Sequence, residues 1–183
     1  MRSDFLQHFA RRLSEDGVAV CRFNFLYTER GRKSPDRQSV LEATYREVVE
    51  RVRELTEAQC LVLGGKSMGG RIASHIVAGG VPADGLAFLG YPLHPPGKPE
   101  RMRDQHLKVI TAPMLFVEGT RDPFCPLETL ERVRATLSAP TEVAVVADGD
   151  HSLKVPKSSD RSTHEAWDEA ASALTSWVER LSV

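Results

Sequence analysis

The sequence predicts an α/β fold: a three-layer α/β/α sandwich built on a mostly parallel sheet. Three observations carry that prediction. Short, largely apolar runs recur along the chain, each the length of a buried strand. Amphipathic stretches of helical period separate them, and such alternation places helices on both faces of a parallel sheet. The run Cys60-Leu61-Val62-Leu63-Gly64-Gly65-Lys66-Ser67-Met68-Gly69-Gly70-Arg71 reads as strand, sharp turn and helix in immediate succession. With 183 residues the chain is long enough for one sizeable core, and residues 1–183 read as a single domain without internal repeats.

Phe5, Phe9 and Leu13 repeat at helical spacing, which predicts a helix over 4–14. Val18 to Phe25 is apolar enough to read as a first strand. Residues 26–38, rich in charge, Gly and Pro, read as an exposed loop. Ser39 and Glu42 match a capping box, and Leu41, Tyr45, Val48, Val52 and Leu55 continue a helical stripe to about residue 57. Residues 60–64 form a second strand. The helix after Ser67 buries Ile72 and Ile76 and stops at Gly79-Gly80. Gly85 to Gly90 is a third strand, Met114 to Glu118 a fourth and Val143 to Ala147 a fifth. A proline-rich connection spans 91–113. Leu127, Leu130, Val133 and Leu137 mark one helix. Trp167, Leu174, Trp177 and Leu181 give a closing helix its apolar face.

Lys plus Arg number 24 against 25 Asp plus Glu, so no net field favours nucleic acid or an anionic membrane. No apolar run reaches membrane-spanning length, and the amino end has no signal-like stretch. Cys21, Cys60 and Cys125 do not make a disulfide framework. Cys21 and Cys60 lie in or beside apolar runs, where cysteine packs as a small hydrophobe, and Cys125 reads as buried filler. A reducing, cytoplasmic setting is expected.

A serine hydroxyl needs a histidine to take its proton, and that histidine needs a carboxylate to fix its tautomer. Ser67 leaves the second strand in a Gly-x-Ser-x-Gly turn, where Gly65 and Gly69 are small enough for a close backbone crossing. Asp122 follows the fourth strand and His151 the fifth. All three therefore sit at carboxyl ends of parallel strands, where open α/β sheets bind ligands. Asp148 and Asp150 compete for the acid role but lie too near His151 in sequence. His94 and His106 are expected at the pocket wall or surface. Gly65-Lys66-Ser67 also resembles the end of a phosphate loop, but position 60 is Cys60 rather than Gly and 60–63 read as strand. No HExxH, paired CxxC or dense His/Asp cluster is present, so neither metal nor cofactor is expected.

These motifs resemble the α/β-hydrolase superfamily, and within it the small dienelactone-hydrolase-related group that includes the testis-expressed hydrolase-like proteins. The matches are Gly64 to Arg71, Tyr91 to Lys98, Leu115 to Asp122 and Asp150 to Lys157. The resemblance implies a triad of Ser67, Asp122 and His151 acting on a small carboxylic ester or related acyl substrate. The Met68 backbone N–H would serve as oxyanion donor. A catalytically weak or inactive interaction module is the alternative, since some relatives look like interaction proteins. Relatives open with two or three strands and a His-Gly-x-Gly-like loop that supplies a second oxyanion donor. This chain begins almost at the first helix, so a reduced fold lacking those strands is expected. The missing strand would lie between the first and second strands read here. Either those two close the gap, or the exposed edge is covered in a homodimer through the amino-terminal region. The proline-rich connection predicts a short, stiff cover and an open site for short acyl groups.

Overall fold

The computed structural model describes residues 3–182. Its elements run α1 (Asp4–Glu15), α2 (Leu26–Glu29), α3 (Gln38–Leu55), β1 (Val62–Lys66), α4 (Met68–Ala78) and β2 (Gly85–Leu89). They continue with a 3-10 turn (Gln105–Val109), β3 (Met114–Gly119), α5 (Leu127–Arg134), β4 (Thr141–Val146) and α6 (Thr163–Leu181). Among the described residues the four strands lie in the order β1-β2-β3-β4, every neighbour parallel.

Alternation along β2 and β3 divides the interior into two cores. Leu86, Phe88, Met114 and Phe116 face α3, α4 and α5, where Leu41, Tyr45, Ile72, Ile76 and Leu130 pack. Ala87, Leu89, Leu115 and Val117 face α1 and α6, where Phe5, Phe9, Trp167 and Trp177 pack. Both strands are buried along their whole length, which is why they read as continuous apolar runs rather than alternating ones. Gly85 lets α6 sit directly on the sheet, since a Cβ there would lie 2.7 Å from the Trp177 ring.

Val18 to Phe25 is not a strand. The segment is irregular, with Cys21 exposed rather than buried. A strand needs a neighbour for its backbone groups, and among the described residues no strand pairs with this segment. Phe23 and Phe25 instead pack their rings against Tyr45 of α3, at centroid separations of 4.9 and 6.4 Å. Tyr45 also closes the open edge of β1. Its hydroxyl donates to the Gly64 carbonyl at 2.7 Å and accepts the Gly64 N–H at 3.0 Å, so one phenol takes the place of a paired strand. Burial pushes that phenol's pKa up to about 12.

Two smaller expectations are also corrected. The loop 26–38 contains the single turn α2. Helix α3 begins at Gln38 with Arg37 as cap, so Ser39 lies inside the first turn and makes no capping box; Gln38 donates to Glu42 instead, at 2.7 Å. A capping box stands instead at Ser162 and Glu165, where α6 begins.

Candidate active site

The three strand ends meet. His151 Nδ1 lies 2.7 Å from Asp122 Oδ2, and His151 Nε2 lies 2.8 Å from Ser67 Oγ. An ionised Asp122 only accepts, so the network is satisfied when Nδ1 carries the proton and Ser67 donates to Nε2. Asp122 is held from behind by the Phe124 N–H, which donates to Oδ1 at 2.8 Å, and its side chain is fully buried. The Phe124 ring packs edge-on against the His151 ring at 4.7 Å. Asp148 and Asp150 are used elsewhere. Asp150 accepts the Ser152 and Lys154 N–H groups, and Asp148 accepts from Ser159.

Ser67 has φ 51° and ψ −114°, a conformation that side chains rarely adopt. The turn lifts its hydroxyl clear between β1 and α4. Met68 opens α4, so its N–H is one of those that a helix leaves without an intrahelical partner. Of the glycines around the turn, Gly64, Gly65 and Gly70 are confined. A Cβ at Gly70 would lie 2.7 Å from the Gly65 carbonyl oxygen, whereas one at Gly69 would meet nothing within 4 Å. Gly69→Ala is therefore expected to keep or raise stability, by about 0.5–1 kcal/mol from helix propensity, while Gly70→Ala lowers it by about 1–3 kcal/mol. Chemical denaturation of the two variants checks the contrast.

Lys66 ends β1 with its ammonium 5.8 Å over the Phe5 ring. Ser67, Met68 and His151 border a pocket of about 300 Å³ whose wall includes Arg71, His94 and Arg103. A larger cleft, about 420 Å³, lies among residues 155–165 and contains none of the three hydrogen-bonded side chains. His94 is a wall residue, whereas His106 lies half-buried outside the pocket lining. It stacks on His75 at 3.7 Å and bonds Ser74 Oγ at 2.8 Å. Burial, then His75 and Arg71, push its pKa down to about 3, so the ring is neutral in use.

Sequence reasoning passed over Glu118, Arg71 and Arg103. Glu118 sits in the apolar run of β3 yet is 0 % exposed, with Oε1 accepting the Tyr91 N–H at 2.6 Å. Its other oxygen has no hydrogen-bond partner among the described residues. Burial pushes its carboxyl well above the usual range, and the neighbouring Asp122 charge adds to that. Such a group binds its proton more tightly folded than unfolded. Its contribution is complete below the unfolded pKa of about 4.3 and is lost as pH rises toward the folded value. Glu118→Gln keeps an acceptor for Tyr91 and has no proton to lose. Its stability relative to the native chain should rise between pH 5 and pH 8. Glu118→Leu strands the Tyr91 N–H and should cost about 1–3 kcal/mol. Urea unfolding at the two pH values measures both.

The fold recurs in solved structures. A lidless α/β serine hydrolase from Xanthomonas campestris superposes with a TM-score of 0.75 at 22% identity, over 98% of this chain and 74% of its own. An alpha-beta serine hydrolase homologue from Coxiella burnetii gives 0.72 at 19% identity, over 98% and 76%. A dienelactone hydrolase from Anabaena variabilis gives 0.72 at 17% identity, over 98% and 80%. No described helix is long and apolar enough to cross a membrane. The alpha/beta hydrolase domain matches residues 1–179, and by that match, over nearly all of its length, the chain belongs to the alpha/beta hydrolase family.

Proposed function

We propose that the chain is a serine hydrolase acting on a small carboxylic ester or related acyl substrate, beside the dienelactone-hydrolase-related esterases. The observation that carries this reading is the unbroken hydrogen-bond series from Ser67 through His151 to buried Asp122. His151 takes the Ser67 proton as Oγ bonds to the carbonyl carbon. The carbonyl oxygen becomes an oxyanion, which the Met68 N–H faces at the start of α4. Collapse breaks the bond to the alcohol, which leaves with the proton from His151. Water, deprotonated by His151, then attacks the acyl-serine; the acid departs and Ser67 recovers its proton. Asp122 stays ionised and holds the Nδ1–H tautomer throughout. The scheme uses no cofactor.

A fluorophosphonate probe tests the nucleophile. Labelling of the native chain that disappears in folded Ser67→Ala is expected. Its absence would leave the inactive interaction module as the better account. The modest pocket and the short proline-rich cover favour short acyl chains. A steep rise in kcat/KM from short to long p-nitrophenyl esters would overturn that preference. The three unpaired cysteines suit a reducing, cytoplasmic setting.

We also retain the homodimer through the amino-terminal region as a proposal. Its support is the irregular segment Val18 to Phe25 and the exposure of Val20 and Leu26, at 37% and 40%. Because Tyr45 already caps the Gly64 edge, contact through side chains of this segment is expected rather than strand pairing across β1. Sedimentation at micromolar concentration decides it, a single monomeric species removing the dimer.

A further inference from the structure

Two guanidinium groups share the Ser67 pocket. Arg71 lies one helical turn beyond Ser67 on α4, and Arg103 reaches in from the connection between β2 and β3. Arg103 is anchored through its backbone. The Arg103 N–H donates to the Leu93 carbonyl at 2.7 Å, and the Tyr91 hydroxyl donates to the Arg103 carbonyl at 2.9 Å.

Neither guanidinium has a carboxylate within 4.0 Å among the described residues. The polar neighbours of Arg71 are Gln38 Oε1 and His75 Nε2, both at 3.4 Å and both uncharged. Its Nε is buried without a hydrogen-bond partner. Burial, then Arg71, hold the His75 imidazole below its usual value. The surrounding carboxylates do not pair with either guanidinium, although Asp36 Oδ2 and Asp104 Oδ1 are themselves buried without a hydrogen-bond partner. Asp36 borders the pocket but pairs with Arg32, Glu42 accepts from Gln38, and buried Asp104 forms no ion pair with either arginine. Burial, then the charge on Arg71, push Arg103 below the usual guanidinium value, as expected of two cations facing each other without a counter-ion.

We propose that Arg71 and Arg103 form a carboxylate subsite of the Ser67 pocket, and that the substrate is a short half-ester of a dicarboxylic acid. A planar carboxylate matches the guanidinium forks and neutralises the pair. It would also fix the ester relative to Ser67, where orientation contributes directly to rate. The inference rests on the hydrolase reading for the identity of the scissile bond, but the subsite itself does not.

Hydrolysis of mono-p-nitrophenyl glutarate is compared with that of p-nitrophenyl valerate, which has the same number of acyl carbons and no charge. The glutarate ester is expected to have at least about tenfold higher kcat/KM, the scale of one charge-assisted hydrogen bond. Arg71→Gln and Arg103→Gln should each lower that ratio about tenfold, whereas Arg51→Gln, on the exposed far end of α3, leaves it unchanged. Ser67-dependent hydrolysis with no preference for the charged ester overturns the subsite and leaves the hydrolase reading standing. If neither ester is cleaved, the hydrolase reading fails, and calorimetry of glutarate with the Ser67→Ala chain decides the subsite. Binding that is lost in the arginine variants supports it. Lack of binding, or of any glutarate-dependent rise in the native Tm, overturns it. Tighter binding of inorganic phosphate than of glutarate overturns the carboxylate assignment.

Discussion

Ser67→Ala is expected to lower kcat toward a short ester by about 10⁶-fold, and Asp122→Asn by about 10⁴-fold. The first removes the attacking oxygen. The second leaves the shape of the site but offers an amide where His151 Nδ1–H needs an acceptor, which favours the wrong tautomer. Combining the two should cost scarcely more than Ser67→Ala alone, because the residues act as a unit. A third replacement separates chemistry from folding. Ser67 is held at φ 51°, and a non-glycine residue in such a region costs about 1–3 kcal/mol. Ser67→Gly should abolish turnover and yet raise stability within that range. A variant that lost both activity and stability would show that the turn is not strained. Steady-state kinetics and denaturation of the same preparations give both readings.

The parts of the fold that the sequence made legible are those whose burial is complete. β2 and β3 are covered on both faces, so every residue in Gly85–Leu89 and Met114–Gly119 had to suit the interior, and the runs stand out. The Ser, Asp, His order was readable for a different reason: Ser67 follows β1, Asp122 follows β3 and His151 follows β4, each within five residues of the strand's end. Val18 to Phe25 misled because strand propensity is local while pairing is not. The same Phe23 and Phe25 that suggest a strand serve equally well as rings against Tyr45. The second strand was placed two residues early, since Cys60 and Leu61 are apolar but the Leu61 N–H goes to Asp84 Oδ2 rather than into the ladder. Arg71 and Arg103 were invisible as a pair, being 32 positions apart with nothing in composition to join them. Glu118 was hidden for the opposite reason. A carboxyl in an apolar strand reads as the strand's polar end, and only the fold puts it against Tyr91 and Asp122.

Gly119→Ala should cost about 1–3 kcal/mol of stability and about 10²-fold in kcat/KM, although residue 119 carries no chemistry. Gly119 ends β3 where the acid loop begins, and the base loop crosses directly over it. An added Cβ would lie 2.1 Å from the Gly149 carbonyl oxygen and 2.8 Å from that of Asp150, where ordinary contact starts near 3.4 Å. Both obstacles are backbone, so no side chain can turn aside. The loops must part by roughly 1 Å or more, a shift on the scale that costs about 10²-fold when it misplaces reacting groups. They are otherwise zipped together. The Arg121 N–H donates to Gly149 at 2.8 Å, Thr120 N–H to Val146 at 3.1 Å, and Asp148 N–H to Thr120 Oγ1 at 2.9 Å. The 2.7 Å bond between His151 and Asp122 spans this same junction and has no slack to absorb the displacement. Gly31→Ala is the matched comparison. Gly31 has φ 67° but open space around it, so alanine there should cost about 1–2 kcal/mol of left-handed strain and no activity. Thermal unfolding with ester kinetics on the two variants separates backbone strain from loop crowding. A Gly119→Ala chain with native Tm and native kcat/KM would mean that the acid and base loops are not packed backbone against backbone.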